Sequence, residues 1–413
     1  MNEVSYYEGK SRDLPRKMYR VLIEDIAAAG GDIHLRNQVI KAFIDRVRSN
    51  HGSADYLGLK LCLPDSVKAS LSADERSEID AVFSALRSRR ARRLFPIFPV
   101  CTDEVSIRQE FLESVFDGTN VPLFGQDTRV LTMGSCFAVN ISKYLSSVGY
   151  NNISGFRRAE EINSVTSNLL MLEVAALSEK EQIKFFSENL SFFNESKNLK
   201  EFIRMELKQI RSLKKNISSA EVVVITLGNT IDGYLPQPIS AVTRNLTIPN
   251  LVPRFLKAFQ SENIKHQVKA LSILKERGGT LRTGRLSEVL RAINALIDAV
   301  FKLNDKAKIV ITVSPVPINN TMGLENPNGL GPVEIDCQMK STLRACLGEI
   351  LEGRRNENLH YFPSFEIVRW IGAYLSRSAF GNEDAATGHV SDEILNSVYR
   401  LFLTRHALNP TAH

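Results

Sequence analysis

The chain has 413 residues, of which 43% are hydrophobic and 24% are charged, and its formal net charge is +6. This balance is typical of a soluble globular protein with two or three domains. No apolar run approaches the roughly 18–20 residues that span a bilayer. The first residues, "MNEVSYYEGKSRDLPRK", lack the apolar segment of a signal peptide. The sequence therefore predicts a cytoplasmic protein without a membrane span.

Cysteine and histidine are too sparse and scattered to indicate disulfides or a metal centre. The five cysteines are odd in number and widely spaced, and the seven histidines are equally dispersed. Neither set forms a C-x-x-C or H-E-x-x-H pattern. We therefore predict no metal site.

The first third of the chain has the pattern of helices. Residues 13–95 carry apolar side chains at helical spacing, and the first helical stretch stops at Gly30-Gly31. The segment "FPIFPV" then interrupts the pattern with two prolines. The sequence therefore predicts a helical N-terminal domain over residues 1–120.

Five arginines lie between Arg87 and Arg93, in "RSRRARR". Such a run can contact phosphate, nucleic acid or an anionic glycan. No aromatic pattern for base stacking accompanies it. We therefore favour a solvated helix end, where cations interact well with the helix dipole, and predict no nucleic-acid partner.

From about residue 126, short β-rich runs alternate with helical stretches. Strands are predicted at 129–134, 221–228, 308–315 and 358–364. The middle two are almost continuously apolar, as expected for strands covered on both faces. The alternation predicts an α/β domain over residues 121–413, with a parallel sheet and helices on both sides.

Two stretches between these strands differ from the rest. Residues 172–219 are polar and helix-prone, which predicts a helical insertion or a lid over one edge. Residues 232–256 contain several turn-forming residues, which predicts an irregular excursion.

Ligands of parallel sheets bind where the loops emerge from the carboxyl ends of the strands. Conspicuous polar and small residues follow each predicted strand, namely Gly134-Ser135-Cys136, Gly228-Asn229, Ser314-Pro315 and Pro363-Ser364. These positions are the first candidates for a functional site.

Cys136 stands where a strand is predicted to pass into a helix. The unpaired N–H groups and the positive dipole end of a helix stabilise a thiolate, so we expect the pKa of this thiol to be lowered. The same N–H groups can hold a developing oxyanion. Gly134 permits the sharp turn. The alternative is a buried cysteine that only fills the core.

Five segments, in chain order, resemble the GSCFA family: "MGSCFAVNISKYL", "VITLGNTIDGY", "ITVSPVP", "YFPSFEIV" and "GHVSDEI". The resemblance covers roughly residues 126–405. That family is similar to the SGNH (GDSL-like) esterases and acyltransferases. The resemblance implies a three-layer α/β/α fold with a flavodoxin-like, SGNH-type parallel sheet, preceded here by the helical N-terminal domain.

The resemblance also implies a nucleophile. In SGNH enzymes the catalytic serine follows a strand in a Gly-Asp-Ser turn. With Gly134 on that glycine, Cys136 falls on the serine and Ser135 on the aspartate. Cys136 is therefore our first choice, and Ser135 is the alternative if the turn is shifted by one residue.

His389 matches the place of the SGNH base. The acid that orients the base usually lies three residues earlier, where this chain has Ala386. Asp384 lies five residues earlier, so either it reaches the ring from a longer loop or a backbone carbonyl orients the ring. A histidine at this position can equally be structural or exposed.

The implied oxyanion hole uses the Cys136 N–H, the Asn229 side chain and a glycine, for which Gly155 is the candidate. Arg158 and Asn163 either bind substrate or, with their charged neighbours, belong to a surface segment with ion pairs, which we favour. The full set of substrate-binding candidates is Gly134, Gly155, Arg158, Asn163, Gly228 and Ser314.

The resemblance thus implies an acyl-transfer enzyme, either an esterase or an O-acyltransferase, acting on a glycan as relatives of that superfamily often do. The sequence predicts no bound cofactor and a soluble acyl donor such as acetyl-CoA. The alternative is a catalytically degraded fold that serves as a glycan-binding or assembly module. Two departures motivate it: the shifted acid, and Ile318-Asn319 where many relatives have a histidine.

Overall fold

The computed structural model shows two compact units, Met1–Thr119 and Asn120–His413. The structure describes residues 19–50, 63–91, 121–158, 160–192, 199–254, 264–318, 321, 323–326, 328–354, 356–371, 379–381 and 389–408.

The described part of the first unit is helical, as predicted. Its helices are α1 (residues 19–29), α2 (Ile33–Asn50), α3 (Asp65–Lys68) and α4 (Ala73–Ala91). Their buried apolar side chains, among them Leu22, Ile44 and Phe83, form one core. Arg36 joins α2 to α4 through two hydrogen bonds of 2.9 Å to the Glu75 carboxylate.

The second unit contains a five-stranded parallel sheet and a smaller, three-stranded antiparallel sheet. The strands are β1 (Val130–Gly134), β2 (Ile153–Arg157), β3 (Val222–Leu227), β4 (Ile231–Tyr234), β5 (Leu251–Val252), β6 (Thr280–Thr283), β7 (Lys308–Val313) and β8 (Leu359–Tyr361). The parallel sheet has the order β2-β1-β3-β7-β8, and the small sheet has the order β5-β4-β6.

Helices connect these strands. They are α5 (Cys136–Ser147), α6 (Val165–Ala176), α7 (Glu179–Phe192), α8 (Leu199–Ser219), α9 (Ala241–Arg244), α10 (Ile264–Glu276), α11 (Leu286–Leu303), α12 (Pro332–Arg354), α13 (Ser364–Glu366) and α14 (Asp392–His406). A 3-10 turn occupies Glu160–Ile162, and a π-helical turn, Ile367–Ile371, follows α13.

The two faces of the parallel sheet bury different helices, because successive side chains of a strand point to opposite faces. Alternate residues of β1, β3 and β7, such as Met133, Ile225 and Ile311, enter one large core with α6, α8, α11 and α12. On the other face α5 and α14 pack together, with the ring of Phe137 5.6 Å from that of Tyr399. The result is the predicted three-layer α/β/α architecture.

The stretch predicted as an insertion or lid, residues 172–219, is mostly helical. It contains the end of α6 and all of α7 and α8, and Phe185, Ile210 and Leu213 are fully buried in the large core. Ile210, Leu213 and Ile217 recur at helical spacing, so α8 lays an apolar stripe on the core. The described parts of these helices therefore belong to one layer of the domain.

The prediction of an irregular stretch with turns at residues 232–256 is confirmed for most of its described part, 232–254, but it missed three short regular elements. The stretch contains most of β4, all of α9 and β5, and β4 pairs with β5 and β6. These strands are only two to four residues long, so periodicity gives little signal for them. In the part of the chain that the structure describes, no helix combines the length and the apolarity needed to cross a membrane.

Candidate active site

The turn between β1 and α5 requires its glycine. Gly134 has φ +144°, a region that L side chains rarely adopt. A Cβ at this position would lie 2.7 Å from the carbonyl oxygen and 2.9 Å from the Cβ of Thr226 in β3. Only glycine therefore lets β1 end against β3 and turn directly into α5.

Ser135 and Cys136 follow at the start of the helix. Ser135 is the N-cap residue of α5, yet its side chain makes no capping hydrogen bond. Its hydroxyl is buried, and it lies close enough to the Cys136 thiol to lower the pKa of that thiol. Cys136 is the first residue of α5 and is a partly buried free thiol. The serine hydroxyl is thus not used to begin the helix.

These residues lie at the point where the strand order of the sheet reverses. β1 has β2 on one side and β3 on the other, and the chain leaves β1 toward β2 but leaves β3 toward β7. Loops separate at such a switch point and leave a crevice for a ligand. Gly228-Asn229 follows β3 directly, so the structure brings it to the same edge as Gly134-Ser135-Cys136, as predicted.

The loop after β2 is fastened to the end of β3 by two asparagines. The carbonyl of Asn163 accepts the N–H groups of Gly228 (3.0 Å) and Asn229 (3.1 Å), and its side chain donates to the Thr226 carbonyl (2.9 Å). The Asn229 side chain donates to the Glu160 carbonyl (2.8 Å) and accepts from the Ile231 N–H (2.9 Å). Both side chains are fully buried and hold backbone in this structure.

The other predicted substrate ligands take different places. Gly155 lies in the middle of β2, level with Thr132 of β1, and so stands below the carboxyl edge where an oxyanion donor is needed. The N–H of Ser314 donates to Leu227 at the end of β3 (2.8 Å), and its hydroxyl accepts from the Val316 N–H (3.3 Å), which stabilises the turn after β7.

Arg158 is buried and does not lie on the surface, contrary to the interpretation favoured from the sequence. Its backbone N–H donates to the Gly134 carbonyl (2.6 Å), and its guanidinium lies 3.3 Å from the Met171 sulfur. Burial lowers the pKa of Arg158 to about 10, although the carboxylates of Glu206 and Asp232 oppose this effect. The side chain is only 3% exposed and points into the protein.

Asp232 is a fully buried carboxylate beside this arginine. It accepts hydrogen bonds from Ser164 (2.7 Å), Ser167 (3.0 Å) and Thr166, at the N-terminus of α6. Burial raises the pKa of Asp232, and the nearby Arg254 guanidinium opposes that rise. The three hydroxyls satisfy the carboxylate and fix the start of α6 against β4.

The expected lowering of the Cys136 pKa was wrong. Burial raises the pKa of this thiol, and the Glu160 carboxylate raises it further. The Phe137 N–H in the first turn of α5 and the Arg157 guanidinium act in the opposite direction but do not prevail. The helix N-terminus supports the thiolate as anticipated, but desolvation and one acidic neighbour outweigh it.

His389 lies at the entrance to α14. Its side chain is exposed, and its carbonyl accepts the Gly381 N–H at 2.9 Å. Ser391 is the N-cap residue of α14, the helix whose Tyr399 packs on α5. Burial raises the pKa of Tyr399, and Cys136 raises it further. The pairing of His389 with Cys136 stays a prediction, and the proposed acid Asp384 lies outside the described residues.

Sequence reasoning missed a buried lysine at this edge. Lys340 of α12 is 0% exposed, and its Nζ donates to the Gly228 carbonyl at 2.5 Å and lies 4.0 Å from Glu160 Oε1. Burial lowers the pKa of Lys340, while Glu160 and Asp336 raise it. Asp336, one turn earlier in α12, accepts the Ile318 N–H (3.0 Å) and pairs with Arg369 (2.7 Å).

A sequence signal for Lys340 existed. Ile335, Met339, Leu343 and Leu347 form the buried stripe of α12, and Lys340 falls inside that stripe at helical spacing. A lysine on the apolar face of a helix is rarely buried without a partner, so its position alone pointed to an acidic or carbonyl neighbour.

The described residues form no metal cluster, and the comparison with family models identifies the family of the chain. Among the described residues, no three His, Cys, Asp or Glu side chains cluster as metal ligands would. No curated protein matches the sequence. The model of the GSCFA family matches residues 129–402, about two thirds of the chain, from the start of β1 into α14. The chain therefore belongs to the GSCFA family.

Proposed function

We propose that this protein is an acyl-transfer enzyme, an esterase or an O-acyltransferase, with Cys136 as its nucleophile. The observation that carries the proposal is the place of the thiol. Cys136 opens α5 at the β1/β3 switch point, behind a serine that does not cap the helix. The helix N–H groups there can stabilise both a thiolate and an oxyanion. The strand order, which is that of flavodoxin-like sheets, supports a kinship with SGNH enzymes.

The reaction proceeds in two steps. The Cys136 thiolate attacks the carbonyl carbon of an ester or thioester, and the leaving alcohol or thiol takes a proton from His389. Water or a sugar hydroxyl then attacks the thioester, gives its proton to His389 and releases the Cys136 thiolate. The Cys136 N–H holds the oxyanion in each step. The Asn229 amide contributes when it exchanges its bond to the Glu160 carbonyl for one to the oxyanion.

The acceptor that we propose is a glycan hydroxyl, and the donor is a soluble acyl thioester such as acetyl-CoA. Such a donor fits a cytoplasmic enzyme that modifies a glycan precursor. Hydrolysis and transfer share the first step, so one experiment tests both.

The test is capture of the acyl-enzyme with p-nitrophenyl acetate, followed by intact-mass and peptide mass spectrometry. We expect one acetyl group on Cys136, and we expect the Cys136→Ala variant to lose it. Cys337→Ala, which removes an exposed thiol of α12, is the matched control and should keep the adduct.

An undiminished adduct in Cys136→Ala contradicts the assignment. If Ser135→Ala removes that adduct instead, the nucleophile is the serine. If neither position is acetylated while the protein retains a glycan ligand, the chain is the glycan-binding module considered as the alternative.

A further inference from the structure

A buried ion pair lies against the backbone that follows β3. Lys340 reaches from the third turn of α12 to the Gly228 carbonyl, and no part of it is exposed. The Glu160 carboxylate approaches the same glycine from the loop after β2. A Cβ on Gly228 would lie 2.9 Å from Glu160 Oε1. The two charges therefore meet at Gly228, with 4.0 Å between Nζ and Oε1.

This position adjoins the Cys136 turn. The N–H of Arg158 donates to the Gly134 carbonyl at 2.6 Å, and Glu160 lies two residues after Arg158. The loop that carries Glu160 is therefore hydrogen-bonded to the Cys136 turn where it begins. On the other side, Gly134 is held against Thr226, two residues before Gly228. Both members of the ion pair thus border the strand ends between which Cys136 emerges. The Glu160 carboxylate raises the pKa of Cys136, and Cys136 in turn raises the pKa of Lys340.

We propose that the buried Lys340–Glu160 pair sets the reactivity of Cys136: the Lys340 ammonium stabilises the attacking thiolate, and the Glu160 carboxylate opposes it. This inference rests on the proposed function, because it assigns a thiolate as the nucleophile. Lys340 is then a positioning residue, since it acts on substrate only through the charge of Cys136.

The physical reason is the low dielectric around these groups. Charges interact more strongly in a protein interior than in water, so a fixed ammonium there favours an adjacent thiolate considerably. The charged and titratable groups that act on Cys136 are Glu160 in the loop after β2, Arg157 at the end of β2, Lys340 on α12 and Tyr399 on α14. The proposed function adds His389, which substitutions of Lys340 and Glu160 leave unchanged. Arg157 is exposed, so solvent screens it more than it screens the fully buried Lys340.

The test is the pH dependence of iodoacetamide alkylation at Cys136, read by peptide mass spectrometry. The variants are Lys340→Met and Glu160→Gln, which remove one charge each with little change of volume. Alkylation of the exposed Cys337 checks that the reagent is active in each sample. Alkylation of Cys346, which is 2% exposed, would show that the protein has unfolded.

We expect opposite shifts. At about pH 8, Lys340→Met should slow alkylation of Cys136 about tenfold, since one pKa unit changes the thiolate fraction about tenfold. Glu160→Gln should accelerate it severalfold. If Lys340 had only a structural role, the two variants would not shift the pH dependence of Cys136 alkylation in opposite directions.

Equal alkylation profiles in all three proteins, with Cys346 protected, overturn the inference, and so do shifts of the same sign. If Lys340→Met unfolds the protein and exposes Cys346, the Glu160→Gln variant provides the test. An unchanged rate of Cys136 alkylation in Glu160→Gln then refutes the proposal. Alkylation needs no acyl transfer, so a missing acyl-enzyme with these shifts present disproves the proposed function and leaves the electrostatic coupling intact.

Discussion

Replacing Gly134 with alanine is expected to lower the free energy of unfolding of the second unit by about 2–6 kcal/mol. A side chain at φ +144° costs about 1–3 kcal/mol of backbone strain. The new Cβ would also meet the Thr226 carbonyl at 2.7 Å, and such overpacking costs about 1–3 kcal/mol more. Urea unfolding followed by fluorescence of Trp370, the one tryptophan of the chain, measures the loss in this unit.

Gly155→Ala is the matched control. Gly155 lies on the neighbouring strand β2, and its Cβ would find its nearest atoms, Ser142 Oγ and Thr132 Oγ1, at 3.5 and 3.6 Å. These are ordinary contacts, so alanine there should be neutral or stabilise by up to about 1 kcal/mol through the unfolded state. If Gly134→Ala unfolds at the same urea concentration as the parent protein, the turn does not require glycine and the close approach of β1 to β3 is wrong.

The sequence predicted the central strands of the parallel sheet but not its edge strand β2. Long apolar runs identified β3 and β7 almost to the residue, because strands covered on both faces are nearly continuously apolar. The shorter β-rich run at residues 129–134 identified β1. β2 was missed. It is an edge strand with the sequence "ISGFR", half exposed, and pairs only with β1. Its polar and glycine residues are tolerated there because one face and one edge meet solvent.

The sequence could predict which residues lie at the ends of neighbouring strands. It could not predict contacts that depend on how the helices pack on the sheet. Gly134, Cys136 and Asn229 lie at one edge of the sheet, since the ends of neighbouring parallel strands must meet. Lys340 is distant in the chain, and its contact with Gly228 depends on how α12 lies on the sheet. The direction of the Cys136 pKa shift depends on burial and on Glu160, neither of which a local pattern contains.

Replacing His406 with phenylalanine is expected to make the second unit markedly less sensitive to acid. His406 is fully buried, and its ring packs 5.1 Å from Phe402 and 6.1 Å from Phe362. Burial lowers its pKa to about 3; the bond to the Val121 carbonyl opposes this, and Arg405 and His360 reinforce it. The ring is therefore neutral in the folded protein, with Nδ1–H donating to Val121 at 3.3 Å.

The sign follows from proton linkage. Below about pH 6.5 the unfolded chain binds a proton at this histidine that the folded chain refuses, so stability present above that pH is lost as the pH falls toward 3. Between about pH 7 and about pH 4.5 the loss attributable to His406 is about 2–3 kcal/mol. Urea unfolding at both pH values, in the parent protein and in His406→Phe, measures this difference directly.

Phe402→Leu separates titration from packing. It lies in the same aromatic cluster and carries no proton, so it should lower stability by a similar amount at both pH values and keep the acid dependence of the parent protein. His406→Phe should do the reverse: it loses one long hydrogen bond at every pH but removes the part of the acid loss that is due to the protonation of His406. An unchanged acid dependence in His406→Phe would mean that the ring is protonated in the folded state. The helix α14 would then have to carry a charge among Phe362, Phe402 and Arg405, which its packing does not accommodate.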